Sequence, residues 1–373
     1  MKIERVEPIA VSFPMKKPVF MAGVEIRQAD NVIVRVETDT GVVGWGEAAS
    51  APTMTGETVE SMMAAVHYLA PAVESRPAED IAGTVAAMAG RMYGNSAAKA
   101  AIEMAIHDLV GRATGRPVHA LLGGKRRSHI ALLGVISNGE LAGDLRDAEK
   151  KKAEGFQAFK IKVGIDKPFI DGERTRQVCR LLGPGLLISS DANQGWSTDE
   201  AVQYVRAVAG SGLDFFEQPV LADNIAGMAT VAAAADFAIG ADESIHSLED
   251  IRRHHERKAA RGVSLKTIKL GGIRGVMAAG ELCGQLGMAV NVSCKTGESS
   301  LAGAAGLHIA AALPQISWGL TLSHEGLADD VTAHPIRVER GHAEVSDRPG
   351  LGIDVDEDRI RRYRRIIPVR QVA

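Results

Sequence analysis

Cysteine is scarce in this chain. Three occur, Cys179, Cys283 and Cys294, an odd set without metal-ligand spacing, which excludes a disulfide framework and a thiolate metal centre and fits a reducing, cytoplasmic setting. Long apolar runs are missing as well: none approaches the roughly 20 residues of a membrane span. The opening MKIERVEPIAVSFPM is charged within its first five residues and then alternates, as a strand does and a secretory signal does not. Nor is there an excess of one charge. With 43 basic against 46 acidic side chains the formal charge is −3, so no general field draws nucleic acid or an anionic membrane, and an anionic substrate must be held locally. The most basic stretch, Arg359 to Arg365 (RIRRYRR), follows the acidic run Asp354 to Asp358 and reads as a solvated, salt-bridged helix. Low-complexity segments are absent, and the only internal repetition is the βα unit described below.

What is present is an ordinary globular composition, 46% hydrophobic and 24% charged, over a length that exceeds what one core usually serves. From Lys2 to about Glu47 the pattern is strand-like, and the TDTG turn joins two β-branched runs as a hairpin. Between Thr58 and Leu122 it changes to alanine-rich helical periodicity, clearest in NSAAKAAIEMAIHDLVGRATG, with Asn95 placed to cap the start and Gly115 the end. From about Ala131 eight short apolar runs alternate with helical stretches: IALLGVIS, FQAFKIKVG, GLLISSDANQ, LDFFEQP, FAIGADES, LKTIKLGG, MAVNVSC and QISWGLTL. Eight such units predict an α/β fold built on a closed (β/α)8 TIM-type barrel. The predicted layout is an α+β capping domain over residues 1–125, the barrel over 126–330, and a segment 331–373 that returns to complete the cap.

Active sites of such barrels lie where strands end, so polar residues at the tails of the apolar runs are the ones to collect. They are Lys160 and Lys162 after the second run, Asp191 and Asn193 after the third, Glu217 after the fourth, Asp242 after the fifth and Lys269 after the sixth. The steps from Lys162 through Asp191, Glu217 and Asp242 to Lys269 are 29, 26, 25 and 27 residues, about one βα unit each. Three carboxylates from consecutive strands repel unless a cation sits among them, and a hard oxygen set without His or Cys points to Mg²⁺, one per subunit. Lys160 and Lys162, two apart on a strand, point to the same side. Lys269 lies four strands on, half a turn of an eight-stranded ring, so Lys162 and Lys269 are placed as bases on opposite faces of one substrate carbon. A neighbouring cation such as Lys160 helps a buried lysine act as a base, and the metal would stabilise the enediolate formed when an α-proton leaves.

Other residues are less determined. Glu47 in GWGEAAS is either a turn residue or a loop group closing over the site. Glu243, beside Asp242, faces the other way by strand alternation and reads as an acceptor behind the site. Lys295 and Glu298 in CKTGESS could contact substrate; His308 reads as a satisfied core histidine and Cys294 as packing.

GWGE, the helix AAKAAIEMAIHDLVGRATGRPVHALLGG, FKIKVG, SSDANQGW, FFEQP, GADES, IKLGGIRG and ESSLAGAAGLH, taken together, resemble the enolase superfamily, specifically its muconate lactonizing enzyme subgroup, through nearly the whole chain. The resemblance implies a cap whose loops, about Pro14 to Glu25 and Ala49 to Glu60, close over the barrel and select the substrate. It also implies Lys162 and Lys269 as the acid/base pair, Lys160 as an electrostatic helper, and Asp191, Glu217 and Asp242 as magnesium ligands. The subgroup spans cycloisomerases, N-acylamino acid racemases, o-succinylbenzoate synthases, dipeptide epimerases and dehydratases of hydroxyproline-type acids. Dipeptide epimerases carry an Asp-x-Asp after strand eight that holds the substrate ammonium. Here WGLTLSHEG has Thr321 and Ser323 instead, which argues against an ordinary dipeptide epimerase. CKTGESS with WGLTLSHEGLADD resembles the pocket of members acting on proline derivatives, such as cis-3-hydroxy-L-proline dehydratase.

The expected function is therefore Mg²⁺-dependent abstraction of an α-proton from a small carboxylate substrate, as a racemase or epimerase or a dehydratase of an amino-acid or proline-derived acid, in a homo-oligomer. The alternatives are a cycloisomerase of the muconate lactonizing type and a carboxylate-binding relative without turnover. A flavin or sugar-phosphate barrel would want glycine-rich phosphate loops after strands seven and eight, and neither stretch supplies one.

Overall fold

A computed structural model of the chain describes residues 1–21 and 24–367; of the expected cap loop Pro14 to Glu25, residues 22 and 23 lie outside the described residues. The chain opens with an antiparallel sheet of β1 (Ile3–Met21), β2 (Val24–Thr38) and β3 (Val43–Ala49) in that order. Period-two alternation divides its side chains between two cores. Ile9, Val11, Phe13 and Ile33 join a cluster shared with the barrel, whereas Val6, Ala10, Val32 and Val34 pack under the cap helices. The TDTG turn closes the β2–β3 hairpin through Thr38 N to Val42 O at 3.1 Å, with Gly41 at φ +78.

The helices α1 (Val59–Val73), α2 (Ile81–Arg91) and α3 (Ser96–Thr114) cover the sheet. α3 is alanine-rich because it is buried on nearly every side and lies almost in contact with the backbone of β3. A Cβ at Gly46 would stand 2.0 Å from Ala101 O, and one at Gly44 2.2 Å from Ala105 O. Gly115 closes α3 at φ +67, as its position predicts. Asn95 does not cap the start through its side chain; it adopts φ 51, and the Glu57 carboxylate accepts from Ala97 N and Ala98 N at 2.9 and 3.1 Å in its place.

A short helix, α4 (Val118–Leu121), and β4 (His129–Ala131) lead into the barrel. There follow β5 (Leu133–Ile136), α5 (Leu141–Ala153), β6 (Ala158–Lys162), α6 (Pro168–Leu182), β7 (Leu187–Asp191) and α7 (Thr198–Val208). Next come β8 (Phe215–Glu217), α8 (Ile225–Ala234), β9 (Ala238–Ala241), α9 (Leu248–Glu256), β10 (Gly262–Leu265) and α10 (Thr267–Leu270). The last units are α11 (Ile273–Leu286), β11 (Ala289–Ser293), α12 (Ser300–Ala312) and β12 (Leu320–Thr321). The strands β5 to β12 pair in sequence order, all parallel, and a bridge between Leu132 and Leu320 brings the first beside the last.

Two runs differ from their sequence reading. IALLGVIS divides into β4, outside the barrel, and β5, within it. LKTIKLGG stops being a strand at Leu265, and its remainder turns into α10, so Lys269 lies on a helical turn rather than at a strand end.

The floor of the barrel is apolar. Phe215 stacks on Trp318 with ring centroids 3.9 Å apart and planes within 5°, and Leu133 and Ala158 complete the layer. Gly262 makes room for the indole, since a Cβ there would lie 2.3 Å from it. With one end so filled, the polar strand ends gather at the other.

The returning chain adds β13 (Val338–Glu339) and β14 (His342–Glu344) to β4. It then docks on the cap, where Leu351 N donates to Asp108 on α3 at 2.8 Å and Arg365 N to Ala10 O at 2.8 Å. Between them α13 (Glu357–Tyr363) carries the basic run, its arginines paired with Asp329, Asp356 and Asp358. No helix among the described residues is long and apolar enough to cross a membrane.

Candidate active site

At the mouth of the barrel lies a cavity of about 480 Å³, its floor made by strand ends and its roof by Met15, Lys16, Lys17, Val19 and Met54 of the cap. The roof strand is latched down. Met15 bridges to Leu327, Ala328 N donates to Pro14 O at 2.8 Å, and Lys16 Nζ donates to Glu325 O at 2.9 Å.

Strand register brings the acids together. Lys162, Asp191 and Glu217 are in-line partners across β6, β7 and β8, and Glu217 pairs with Gly240, two residues before Asp242. All four line the cavity, with Lys160 and Asn193. Lys160 Nζ donates to Glu217 Oε2 at 2.5 Å; Lys162 Nζ donates to Asp191 Oδ2 at 2.6 Å and Asn193 Oδ1 at 2.7 Å. Asn193, at φ 43, is itself positioned by its amide on Asp191 Oδ1 and by its side chain on Glu243 Oε1. Burial pushes the Asp191 carboxyl up, but Lys162 and Lys160 outweigh it and hold the group below its ordinary value. At Glu217 burial wins over Lys160 and the carboxyl lies above its ordinary value.

The sixth strand overturns one placement. Lys266, the first residue past β10, reaches the cavity and donates to Asp242 Oδ2. Lys269 is fully buried and does not line the cavity; its ammonium donates to Asp242 Oδ1 at 2.7 Å, to Ser264 O at 3.0 Å and to Asp242 O. The residue opposite Lys162 across the mouth is thus Lys266, three positions before the one the spacing selects. Burial disfavours the charge of both lysines. Asp242, Glu243 and Glu217 reverse this for Lys266, which lies above its ordinary value, whereas Lys269 stays below.

Gln218 was not singled out by sequence. Held at φ 34, it accepts through Oε1 from Asp242 N at 2.9 Å and from the amide and hydroxyl of Ser244, so the β8 end shapes the loop that carries Asp242. Its signal was the polar residue directly after the strand-end acid in FFEQP.

The remaining candidates sit around the cavity rather than in it, apart from Lys295. Lys295 lines it; Glu298, Glu243 and Glu47 do not. Glu243 is buried behind Asn193, and burial, reinforced by Asp242, raises its carboxyl to about 7. Glu298 turns Oε2 to the Lys295 amide at 2.8 Å, and burial raises it to about 8. Glu47 accepts from Asn31 Nδ2, from the amide and hydroxyl of Ser299 and from Ala302 N, so it caps the start of α12 and is no loop group over the mouth. His308 bonds His119 N and Leu351 O, and burial lowers it to about 4, a neutral core histidine.

No three acidic, histidine or cysteine side chains among the described residues already converge as metal ligands; each carboxylate is turned to a lysine. The donor set nonetheless fits a hard divalent cation. It is all oxygen, it lies on three adjacent strands around one cavity, and Glu217 Oε1 is buried without a partner among the described residues.

The barrel and cap agree with what the chain resembles. Residues 5–123 match the mandelate racemase/muconate lactonizing enzyme N-terminal domain and residues 144–359 the enolase C-terminal domain-like family. An L-Ala-D/L-Glu epimerase from Bacillus subtilis is 34% identical over 95% of this chain and 97% of its own. A chloromuconate cycloisomerase from Cupriavidus pinatubonensis is 31% identical over 95% of this chain and 96% of its own. The crystal structure of a muconate lactonizing enzyme from Pseudomonas fluorescens complexed with muconolactone superposes with a TM-score of 0.93, at 29% identity and over 98% of this chain and 99% of that one. With both of its domains matched and full-length relatives that are isomerases, the chain belongs to the mandelate racemase/muconate lactonizing enzyme family of the enolase superfamily.

Proposed function

We propose that this enzyme inverts a carbon next to a carboxylate, as a racemase or epimerase of an amino-acid-derived acid, with Lys162 and Lys266 as the two proton carriers. The observation that carries this reading is their placement: β6 and β10 are the second and sixth of eight strands, so the two ammonium groups approach one cavity from opposite sides. One Nζ, neutral, takes the α-proton; the other, charged, returns a proton to the opposite face. Burial disfavours the Lys266 charge, and Asp242, which accepts from its ammonium, outweighs it. Lys160, on the same strand face as Lys162 and bound to Glu217, adds positive charge where the carboxylate gains electrons. Asn193 fixes Lys162 Nζ by its side-chain oxygen.

Asp191, Glu217 and Asp242 would hold magnesium, which supplies Lewis-acid stabilisation of the enediolate. The same groups serve water loss if the substrate carries a β-hydroxyl, as in a hydroxyproline-type acid, and that is one outcome of the test. The enzyme, loaded with Mg²⁺, is incubated in D₂O with a panel of N-acylated and free amino acids and hydroxy acids, and proton NMR is read for loss of the α-signal. Deuterium enters both enantiomers of a substrate if the reading holds, and chelation with EDTA stops it until Mg²⁺ is returned. Full exchange in a metal-free preparation, or no exchange with any acid of the panel, would overturn it.

A further inference from the structure

Among the lysines at the barrel mouth, Lys160, Lys162, Lys266 and Lys269 each sit on a carboxylate. Lys295, just past β11, does not. It is 4% exposed and lines the cavity, yet no carboxylate oxygen among the described residues lies within 4.0 Å of its ammonium. Its hydrogen bond goes to the carbonyl of the next residue, Thr296, at 3.3 Å. Glu298, the nearby acid, is turned to the Lys295 backbone amide instead. Burial lowers the Lys295 ammonium to about 8 although Glu298 and Glu243 act on it through space, so its charge is incompletely compensated, and the void beside it is the cavity.

A second, independent group faces the same space. Thr321, paired with Ser293 across β11 and β12, is 9% exposed and lines the cavity, and its Oγ1 has no partner among the described residues. The backbone that presents Lys295 is fixed, since Ser323 Oγ lies 2.8 Å from both Lys295 O and Glu298 O. Position gives the pair its meaning. The carboxylate triad occupies the third, fourth and fifth strands of the ring and the two proton-carrying lysines the second and sixth, so β11 and β12, seventh and eighth, face the triad across the mouth. A substrate whose reacting carboxylate lies toward the triad, with its α-carbon between Lys162 and Lys266, extends its far end to Lys295 and Thr321.

We propose that Lys295 and Thr321 receive a second carboxylate, and hence that the substrate is a dicarboxylic acid whose distal group accepts from Lys295 Nζ and Thr321 Oγ1. A distal ammonium is disfavoured, because Lys295 would meet it as a like charge with Lys266 and Lys162 nearby. The assignment rests on the proposed α-proton chemistry only for the orientation of the substrate.

Binding tests it directly. Calorimetry on the Mg²⁺-loaded enzyme compares straight-chain α,ω-dicarboxylates of four to eight carbons with monocarboxylates and ω-amino acids of the same length. The dicarboxylates bind at least about tenfold tighter than the other two classes, as a charge-assisted hydrogen-bonded contact requires. Lys295→Met removes that preference, Lys295→Arg keeps part of it, and Thr321→Val reduces it. Equal binding of the three classes, or a preference untouched in both Lys295→Met and Thr321→Val, overturns the proposal; if Lys295→Met does not fold, the wild-type preference and Thr321→Val decide. The two readings fail separately. Dicarboxylates that bind through Lys295 while no acid exchanges its α-proton sink the proton-transfer reading and leave this one, whereas exchange of monocarboxylic substrates as fast as dicarboxylic ones does the reverse.

Discussion

Lys266 and Lys269 touch the same carboxylate and do different work. The ammonium of Lys269 is spent inside the protein, its donors taken by Asp242 Oδ1, Asp242 O and Ser264 O, whereas Lys266 stands between Asp242 and the cavity. Lys266→Ala should therefore slow α-deuteration by about 10² to 10⁴, and it should remain folded because the buried Asp242 keeps Lys269 as a partner. Lys269→Met should leave Asp242 short of a buried partner and cost about 3–5 kcal/mol of stability, read as a lowered unfolding midpoint in urea. A Lys269→Met enzyme of unchanged stability that no longer exchanges would reverse the two roles. The sequence made this pair hard to separate. In LKTIKLGG both lysines follow apolar residues, and the step of 27 to Lys269 matches its neighbours better than the step of 24 to Lys266. Nothing local announces that β10 ends after four residues and that α10 carries the second lysine into the wall. Asp191 and Glu217 stood out in the sequence because each closes its strand in register with the other, and Asp242 because it directly follows its strand end.

Between elements, acidic side chains of the cap supply the caps of barrel helices. Glu47 on β3 takes the first turn of α12, and Glu103 on α3 accepts from Ile273 N at 2.7 Å and Arg274 N at 2.9 Å at the start of α11. A helix start leaves backbone N–H groups unpaired and partly positive, so a carboxylate from a neighbouring layer ties the two layers together. GWGE is the sequence trace of this joint: its glycines let α3 approach β3, the Trp45 amide reaches Asp108, and its acid reaches α12. The motif was visible in the sequence, but its target, some 250 residues away, was not. Glu47→Ala should cost about 2 kcal/mol or more, since it strands the α12 donors together with Asn31; Glu47→Gln, which keeps an acceptor, should cost less. Both should exchange substrate at near wild-type rate where folded, because Glu47 does not line the cavity. An unchanged unfolding midpoint for Glu47→Ala would show that the joint is not held there.

For the whole molecule, the eight βα repeats and the antiparallel opening could be read from periodicity alone, because each repeat satisfies its own strand and helix pattern. The division of IALLGVIS into β4 and β5 could not, since β4 exists only through its pairing with β14, more than 200 residues later. That pairing belongs to a wider feature: besides the core under its own helices, the cap shares a second core with the barrel. One buried cluster runs from Ile9, Val11, Phe13, Ile33 and Trp45 of the cap to Phe159, Ile161, Val263 and Val292 of the barrel strands and on to Ile353 and Ile360 of the returning tail. Chains of this length ordinarily unfold domain by domain. Here the shared cluster, the two acid-capped helix starts and the tail across α3 predict one transition, with calorimetric and van't Hoff enthalpies in agreement. Phe13→Ala provides the sharper measurement. The ring is fully buried on β1 and packs against Tyr363 of α13 with centroids 5.1 Å apart, so its loss should cost about 3–5 kcal/mol. Near-ultraviolet circular dichroism, which reports Trp45 in the cap and Trp196 and Trp318 in the barrel, should then shift as a single curve with the far-ultraviolet signal. A variant whose cap melts early while the barrel keeps its wild-type midpoint would show that the shared cluster does not couple cap to barrel.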